Sequence, residues 1–213
     1  MLIYNMIKQG INKKLIMPKV IKKRSQLLKS QDISLISSNC IGGILSHDYG
    51  LPFNSPTVNL SFEALDYIKF VERLNYYLSC ELTFCGTDKN QGYPICLLDD
   101  VKINFVHYHS FEECTEKWNK RLNRINFKNI VLMFTNQNGC TDELVDRFSK
   151  LTYKKVMFSD REYPHYDFIC FIPKSDKEIR EFENPIDKIF MFKGFTGRRR
   201  YEDYFDFIKF LEG

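Results

Sequence analysis

Residues Ser38 to Ser55, SNCIGGILSHDYGLPFNS, set a thiol at Cys40, a Gly42-Gly43 pair and an imidazole at His47 directly behind an apolar run, DISLIS. A strand that empties into a glycine turn and then a short helix leaves backbone N–H groups unpaired and pointing outward. That geometry suits a phosphate, a carboxylate or a developing oxyanion. Two readings stand side by side. In one the turn is an anion cradle; in the other the glycines merely allow a tight strand-to-helix corner and Cys40 is a small buried apolar residue. A helix N-terminus also lowers a thiol pKa, so Cys40 and His47 could form a thiolate and its base. The simpler expectation is that Cys40 is positional and the turn alone holds the anion.

Further along, His107 and His109 in HYHS would share a face if the preceding strand persisted, which suits a metal pair. No third ligand follows at a recognisable spacing, so two solvated or satisfied histidines are the alternative and no metal is expected. Gly197-Arg198-Arg199-Arg200 precedes the last helical run. A planar guanidinium there could clamp a phosphate through two parallel bonds, or simply belong to a solvated basic turn. Asp99-Asp100 reads as a hairpin turn, and the absence of a DxD leaves a metal-dependent nucleotide-sugar site of that kind unsupported.

The elements that would position these groups alternate along the chain. Ile33 to Ile36 reads as a strand, and Ser61 opens a helix with Ala64, Ile68, Val71, Leu74 and Leu78 on one face. Glu81 to Cys85, Pro94 to Leu98 and the alternating Val101, Ile103 and Phe105 read as strands. Ser110 and Glu113 form a capping-box pattern ahead of Trp118, Leu122 and Ile125. NIVLMFT is a buried strand, and NQNGC turns into a helix with Asp142 and Glu143 in its first turn. VMFS, FICFI and KIFMF read as three more strands, and Tyr201 to Leu211 as a closing helix. This alternation predicts a three-layer α/β/α fold with a mixed, mostly parallel sheet. Ligands bind beyond the carboxyl ends of such strands, so SNCIGG, HYHS and TNQNGC would make a pocket if they converged at one edge.

With 213 residues, 44% hydrophobic content and 27% charge, the chain can bury one sizeable core, and the 19 Phe and 12 Tyr mark it as globular. Its seven cysteines are odd in number and scattered, without a secretory signal, as a reducing cytosol would have them. No apolar run approaches the ~18 residues of a membrane span. The net charge of +4 hides an asymmetry. Residues 1–31 carry eight Lys or Arg and no acid, leaving 23 bases against 27 acids in residues 32–213, a single α/β domain by its pattern. Ile7, Ile11 and Leu15 keep a helical spacing among those bases, and Pro18 interrupts any single long helix. This basic amphipathic leader reads as an anchor on an anionic inner-leaflet membrane surface, or as a solvated helix packed on the domain. With an acidic body and one aromatic in the leader, nucleic acid is not expected as a partner.

The runs SNCIGG, GLPFNSPTVNLSF, YPICLLDDVKINFVHYHSFEECTEKWNKRLNRIN, FTNQNGCT and YFDFIKFLEG, taken in this order, resemble a bacterial family of unknown function described as exopolysaccharide or capsule biosynthesis proteins. The resemblance spans Asp32 to Gly213. Its motif positions fall on Ser38, Asn39, Cys40, Gly42, Gly43, Ser55 and Pro56, on His107 and Tyr108, on Lys117, Trp118, Arg121, Arg124 and Asn126, and on Gly139 and Cys140. Ser38 stands where the family has a second Asn, and Ile41 where it often has an aromatic.

The resemblance implies a cytoplasmic enzyme of surface-polysaccharide assembly, peripheral at the inner membrane face. The lead expectation is a transferase acting on a lipid-linked glycan or sugar acceptor, a glycosyl donor being favoured over an acyl donor. Ser38, Asn39, Gly42, Gly43, Ser55, Arg198, Arg199 and Arg200 would hold the donor, with His47 or His107 as base. The donor would be a nucleotide-sugar or acyl-CoA, and no further cofactor is expected. The alternatives are acyl transfer through a Cys40 thioester and a non-catalytic scaffold of the same machinery.

Overall fold

The computed structural model describes residues 2–173, 186 and 189–212, with side chains from residue 6 onward. Among these, the strands are β1 (Ser34–Ser37), β2 (Leu82–Thr87), β3 (Pro94–Leu98), β4 (Val101–Asn104), β5 (Ile130–Thr135), β6 (Lys154–Ser159) and β7 (Ile169–Phe171). The helices are α1 (Leu2–Ile11), α2 (Met17–Ser25), α3 (Ile41–Asp48), α4 (Ala64–Glu72), α5 (Leu74–Ser79), α6 (Phe111–Leu122), α7 (Asp142–Ser149) and α8 (Phe207–Glu212).

β1, β5, β6 and β7 pair in that order as a parallel sheet. Alternation of side chains across the strands sorts its two faces. Ile36, Leu132, Phe134 and Met157 face a core shared with α4, α5, α6 and α7. Leu35, Val131, Met133, Val156, Phe158 and Cys170 face a second core with α3, α8 and residues 189–201. Both faces are therefore buried, which is why β5 reads as the unbroken apolar run IVLMFT. The three layers of the expected α/β/α fold are present.

The antiparallel strands β2, β3 and β4 form a separate sheet. The open side of β4 is occupied by a bridge from Asn104 to Ser61, so the meander covers the first core as a flap and does not extend the parallel sheet. Asp99, at φ 53, makes the β3–β4 turn. The helix expected from Ser61 begins instead at Ala64 and breaks at Arg73, whose φ of −124° and ψ of 41° leave the helical region. Of KIFMF, Lys188 lies outside the described residues. Ile189 to Phe192 is a turn with one bridge from Phe192 to Arg199, its apolar side chains filling the second core without a strand partner. The closing helix likewise divides into a 3-10 turn, Arg200–Asp203, and α8.

The leader is a nearly continuous helical rod bound to the domain. Pro18 has no N–H for a helical bond and crowds the preceding turn, and the backbone answers with a π-helical turn over Asn12–Ile16. Lys8, Asn12, Met17 and Arg24 are the buried stripe. The step of four between Lys8 and Asn12 becomes five between Asn12 and Met17, so the wider turn keeps the stripe in phase. The Asn12 amide donates to the Gly194 carbonyl at 2.8 Å and accepts from the Gly197 N–H at 2.8 Å.

Candidate functional site

At the carboxyl ends of β1 and β5, the turns SNCIGG and TNQNGC converge as expected. With Ser61 and Val106 they line a cleft of about 420 Å³, whose walls are Asn39, Cys40, Ile41, Ile44, Gln137, Asn138 and Phe190. Amides and a hydroxyl alternate there with apolar side chains, and among the described residues no charged group lines it. Asn39 Nδ2 lies 3.3 Å from Gln137 Oε1, tying the two turns together. Asn138, at φ 52, donates its side chain to the Phe62 carbonyl at 3.0 Å.

The glycine turn is supported from within. Asn39 Oδ1 accepts from the Ile41 N–H at 3.1 Å, and Ser37 Oγ accepts from the Gly42 N–H at 3.3 Å, so two opening amides of α3 already have protein partners. A Cβ on Gly42 would come within 2.7 Å of Ser37 Oγ and 3.2 Å of the Leu35 carbonyl oxygen. Glycine is therefore needed there for close packing of α3 on β1. Ser55 stands behind this corner: its hydroxyl lies 2.9 Å from Thr57 Oγ1, which accepts from the Ser37 N–H at 3.0 Å. Ser38 is buried, with its hydroxyl left without a protein partner among the described residues.

One turn further along α3 lies a second cleft of about 340 Å³, lined by Lys13, Gly43, Ile44, His47, Phe53, Asn59 and Arg199. Ile44 is common to both clefts. His47 Nδ1 lies 3.1 Å from Oδ1 of Asp48, a carboxylate with no solvent exposure, while His47 itself is half exposed. Arg199 forks onto both Asp48 oxygens, Nη2 to Oδ1 at 3.0 Å and Nε to Oδ2 in closer contact, and Nη1 donates to the Phe190 carbonyl. Its guanidinium lies 4.3 Å above the Phe192 ring. Arg24 stands 3.9 Å from Asp48 and 2.7 Å from Glu202. Burial alone would raise the Asp48 carboxyl, but hydrogen bonds from His47 and Arg199, with the charges of Arg199 and Arg24, outweigh it and hold the group below its ordinary range. An ionised Asp48 keeps the His47 proton on Nδ1 and leaves the Nε2 lone pair available for a proton.

Cys40 and His47 lie on one helix but seven residues apart, about 10 Å along its axis. Cys40 lines the first cleft and His47 the second, so His47 is not placed to activate that thiol. Burial pushes the Cys140 thiol up to about 11. β4 ends before His107 and His109, which sit exposed on a turn and line neither cleft; their neighbour Val106 does. Among the described residues, no cluster of three His, Cys, Asp or Glu suits a metal ion. The three arginines part company: Arg198 is exposed and 3.2 Å from Asp203, Arg199 is spent on Asp48, and the Arg200 backbone N–H donates to the Met191 carbonyl at 3.1 Å.

Several residues singled out by the resemblance prove to be supports. The Tyr108 hydroxyl and Arg121 Nη1 both donate to the Val58 carbonyl, at 2.9 and 3.0 Å, fixing the loop that presents Phe53 and Asn59. Trp118 is core, and Asn126 binds the Asp32 carboxylate at 2.9 Å at the opposite edge of the sheet. Asp48, Lys13 and Asn59 were not singled out from the sequence. Adjacent residues do not share a helix face, so the His-Asp dipeptide carries no signal until α3 is known to end there.

These features define a parallel α/β protein with paired clefts at the carboxyl edge of its sheet and a carboxylate-oriented histidine in one of them. The chain belongs to the family of the domain of unknown function DUF1919, which matches residues 11–212 and so takes in most of the leader. It is also 36% identical over 185 residues to an uncharacterized protein of Haemophilus influenzae, an alignment covering 86% of each chain.

Proposed function

We infer that the protein is a group transferase in which His47 is the general base and Asp48 its orienting partner. The observation that carries this reading is the 3.1 Å contact from His47 Nδ1 to a fully buried carboxylate held ionised by Arg199 and Arg24. A base so arranged takes a proton from an acceptor hydroxyl at Nε2 as the hydroxyl oxygen attacks the donor, and a positioned base of this kind contributes about 10²–10⁴-fold. The neutral, amide-lined cleft suits sugar hydroxyls, its apolar residues the sugar's C–H faces. The adjoining cleft offers the Lys13 ammonium to a phosphate. Glycosyl transfer from a nucleotide-sugar fits this division better than acyl transfer through Cys40, which lines the other cleft from His47. Surface-polysaccharide assembly on a lipid-linked acceptor is the setting that the motif resemblance suggests.

The test pairs a binding readout with a turnover readout. Panels of nucleotide sugars and of acyl-CoAs are screened by thermal shift, where a ligand at ~100 times its dissociation constant stabilises by about 2.7 kcal/mol. His47→Ala should keep the shift produced by the active nucleotide sugar and lower release of the nucleotide by about a hundredfold or more. A shift with neither panel, or full turnover in His47→Ala, sinks the reading; a shift with acyl-CoA alone moves it to acyl transfer.

A further inference from the structure

Docked on the domain, the leader still presents exposed side chains to which the described residues give no burial. Away from the buried stripe, Met6, Ile7 and Leu15 of the rod and Leu27 just beyond α2 are 67%, 54%, 69% and 55% exposed. Lys13, Lys14, Lys19, Lys22 and Lys23 are exposed among them. Near the end of the segment, Arg24 pairs with Glu202 and Asp48 and Lys29 with Glu212. Large apolar side chains left in water cost free energy, as do five like charges on adjacent turns, and no feature of the core requires either. A bilayer interface relieves both at once: acyl chains take the apolar side chains while anionic headgroups neutralise the lysines.

We propose that the outer face of α1, the π-turn and α2 docks the protein on an anionic lipid bilayer. The rod lies in the interfacial plane, for no helix among the described residues is long and apolar enough to cross a membrane. The clamp of Asn12 on Gly194 and Gly197, with Arg24 bound to Glu202, makes the rod a rigid part of the body. Docking it therefore fixes the orientation of the whole molecule. Lys13 belongs to this rod and also lines the His47 cleft, so that cleft opens at the edge of the membrane contact. The inference rests on the function proposed above only in giving the cleft a lipid-linked acceptor; the docking face stands on its own residues.

Co-sedimentation with vesicles decides it. The wild type should pellet with phosphatidylcholine vesicles containing phosphatidylglycerol, and release as salt rises toward about 1 M, where the screening length falls to about 3 Å. The variant Lys14→Glu/Lys19→Glu/Lys22→Glu/Lys23→Glu should lose about a hundredfold or more in partitioning. Met6→Ser/Ile7→Ser/Leu15→Ser should bind more weakly while keeping its preference for anionic vesicles. All these positions are exposed, and an unchanged melting temperature establishes that the variants remain folded. Equal pelleting with pure phosphatidylcholine, wild-type binding by the four-lysine variant, or binding to an oligonucleotide in place of vesicles overturns the proposal. His47→Ala should bind vesicles normally. A failure of docking with turnover intact on a soluble acceptor would thus leave the catalytic reading standing.

Discussion

Asp48 is a buried electrostatic node, with no exposure to water and three cationic or ionisable neighbours, His47, Arg199 and Arg24. Removing one partner from such a buried pair leaves the other charge uncompensated, at a cost of about 3–5 kcal/mol. Asp48→Asn should be destabilised by that amount at neutral pH in urea unfolding. The pH dependence has a definite sign. The folded carboxyl lies below its ordinary value of 3.8, so its stabilisation is complete above that value and drains away as pH falls below it. Below about pH 4 the wild type should therefore lose stability more steeply than Asp48→Asn. Parallel acid profiles for the two proteins would show that the carboxylate is not held as described.

At the scale of elements, the leader docks against a loop in which Gly197 makes the close approach. Gly197 has a φ of +69°, and a Cβ there would lie 2.8 Å from Val20 Cγ2 and 3.0 Å from Ile16 Cγ2. Gly194 has a similar φ of +59°, but its nearest atom would be Thr196 Cγ2 at 3.9 Å. Both alanine variants pay backbone strain of about 1–3 kcal/mol, and only Gly197→Ala must also push the leader off. Gly197→Ala should consequently melt lower than Gly194→Ala; equal melting temperatures would mean that the rod yields without cost.

The strands were legible where one physical rule dominated. β5 shows as an unbroken apolar run because both its faces are covered, and β3–β4 show as alternation because one face is. The capped start of α6 was equally plain: Ser110 Oγ accepts from the Glu113 N–H at 3.2 Å. KIFMF misled because apolar content reports burial and not hydrogen-bond partners; Ile189 and Phe192 are buried in a turn. The site was half legible. Loops following strands pointed to the carboxyl edge, where Asn39 and Gln137 do meet. The partnership of Asp48 with Arg199, 151 residues later, has no local signature, since a buried ion pair is specified by the tertiary path alone.

Considered whole, the molecule is closed by its first and last segments. Arg24 reaches both Asp48 and Glu202, Asn12 grips residues 194 and 197, and Gly50 sits against Ile21 and Ser25. Removing residues 1–29 would withdraw the buried Met17, Asn12 and Arg24 and open the second core at Asp48. A loss on the scale of one broken buried pair corresponds to a melting temperature lower by about 10 °C in a chain of this size. A shortened protein melting like the wild type would make the leader a mere appendage.

The pairing of Asp48 with Arg199 also sets an order on biosynthesis. Ribosomes emit residues at about 5–20 per second, so Asp48 waits many seconds before the codon for Arg199 is read. Until then the partly made chain holds a carboxylate that lacks its forked guanidinium partner, and the second core lacks Tyr201 and Phe207. The carboxylate that orients His47, the base proposed above, is thus fully held only when synthesis is almost finished, and fragments released early by a stalled ribosome carry these residues without their partner.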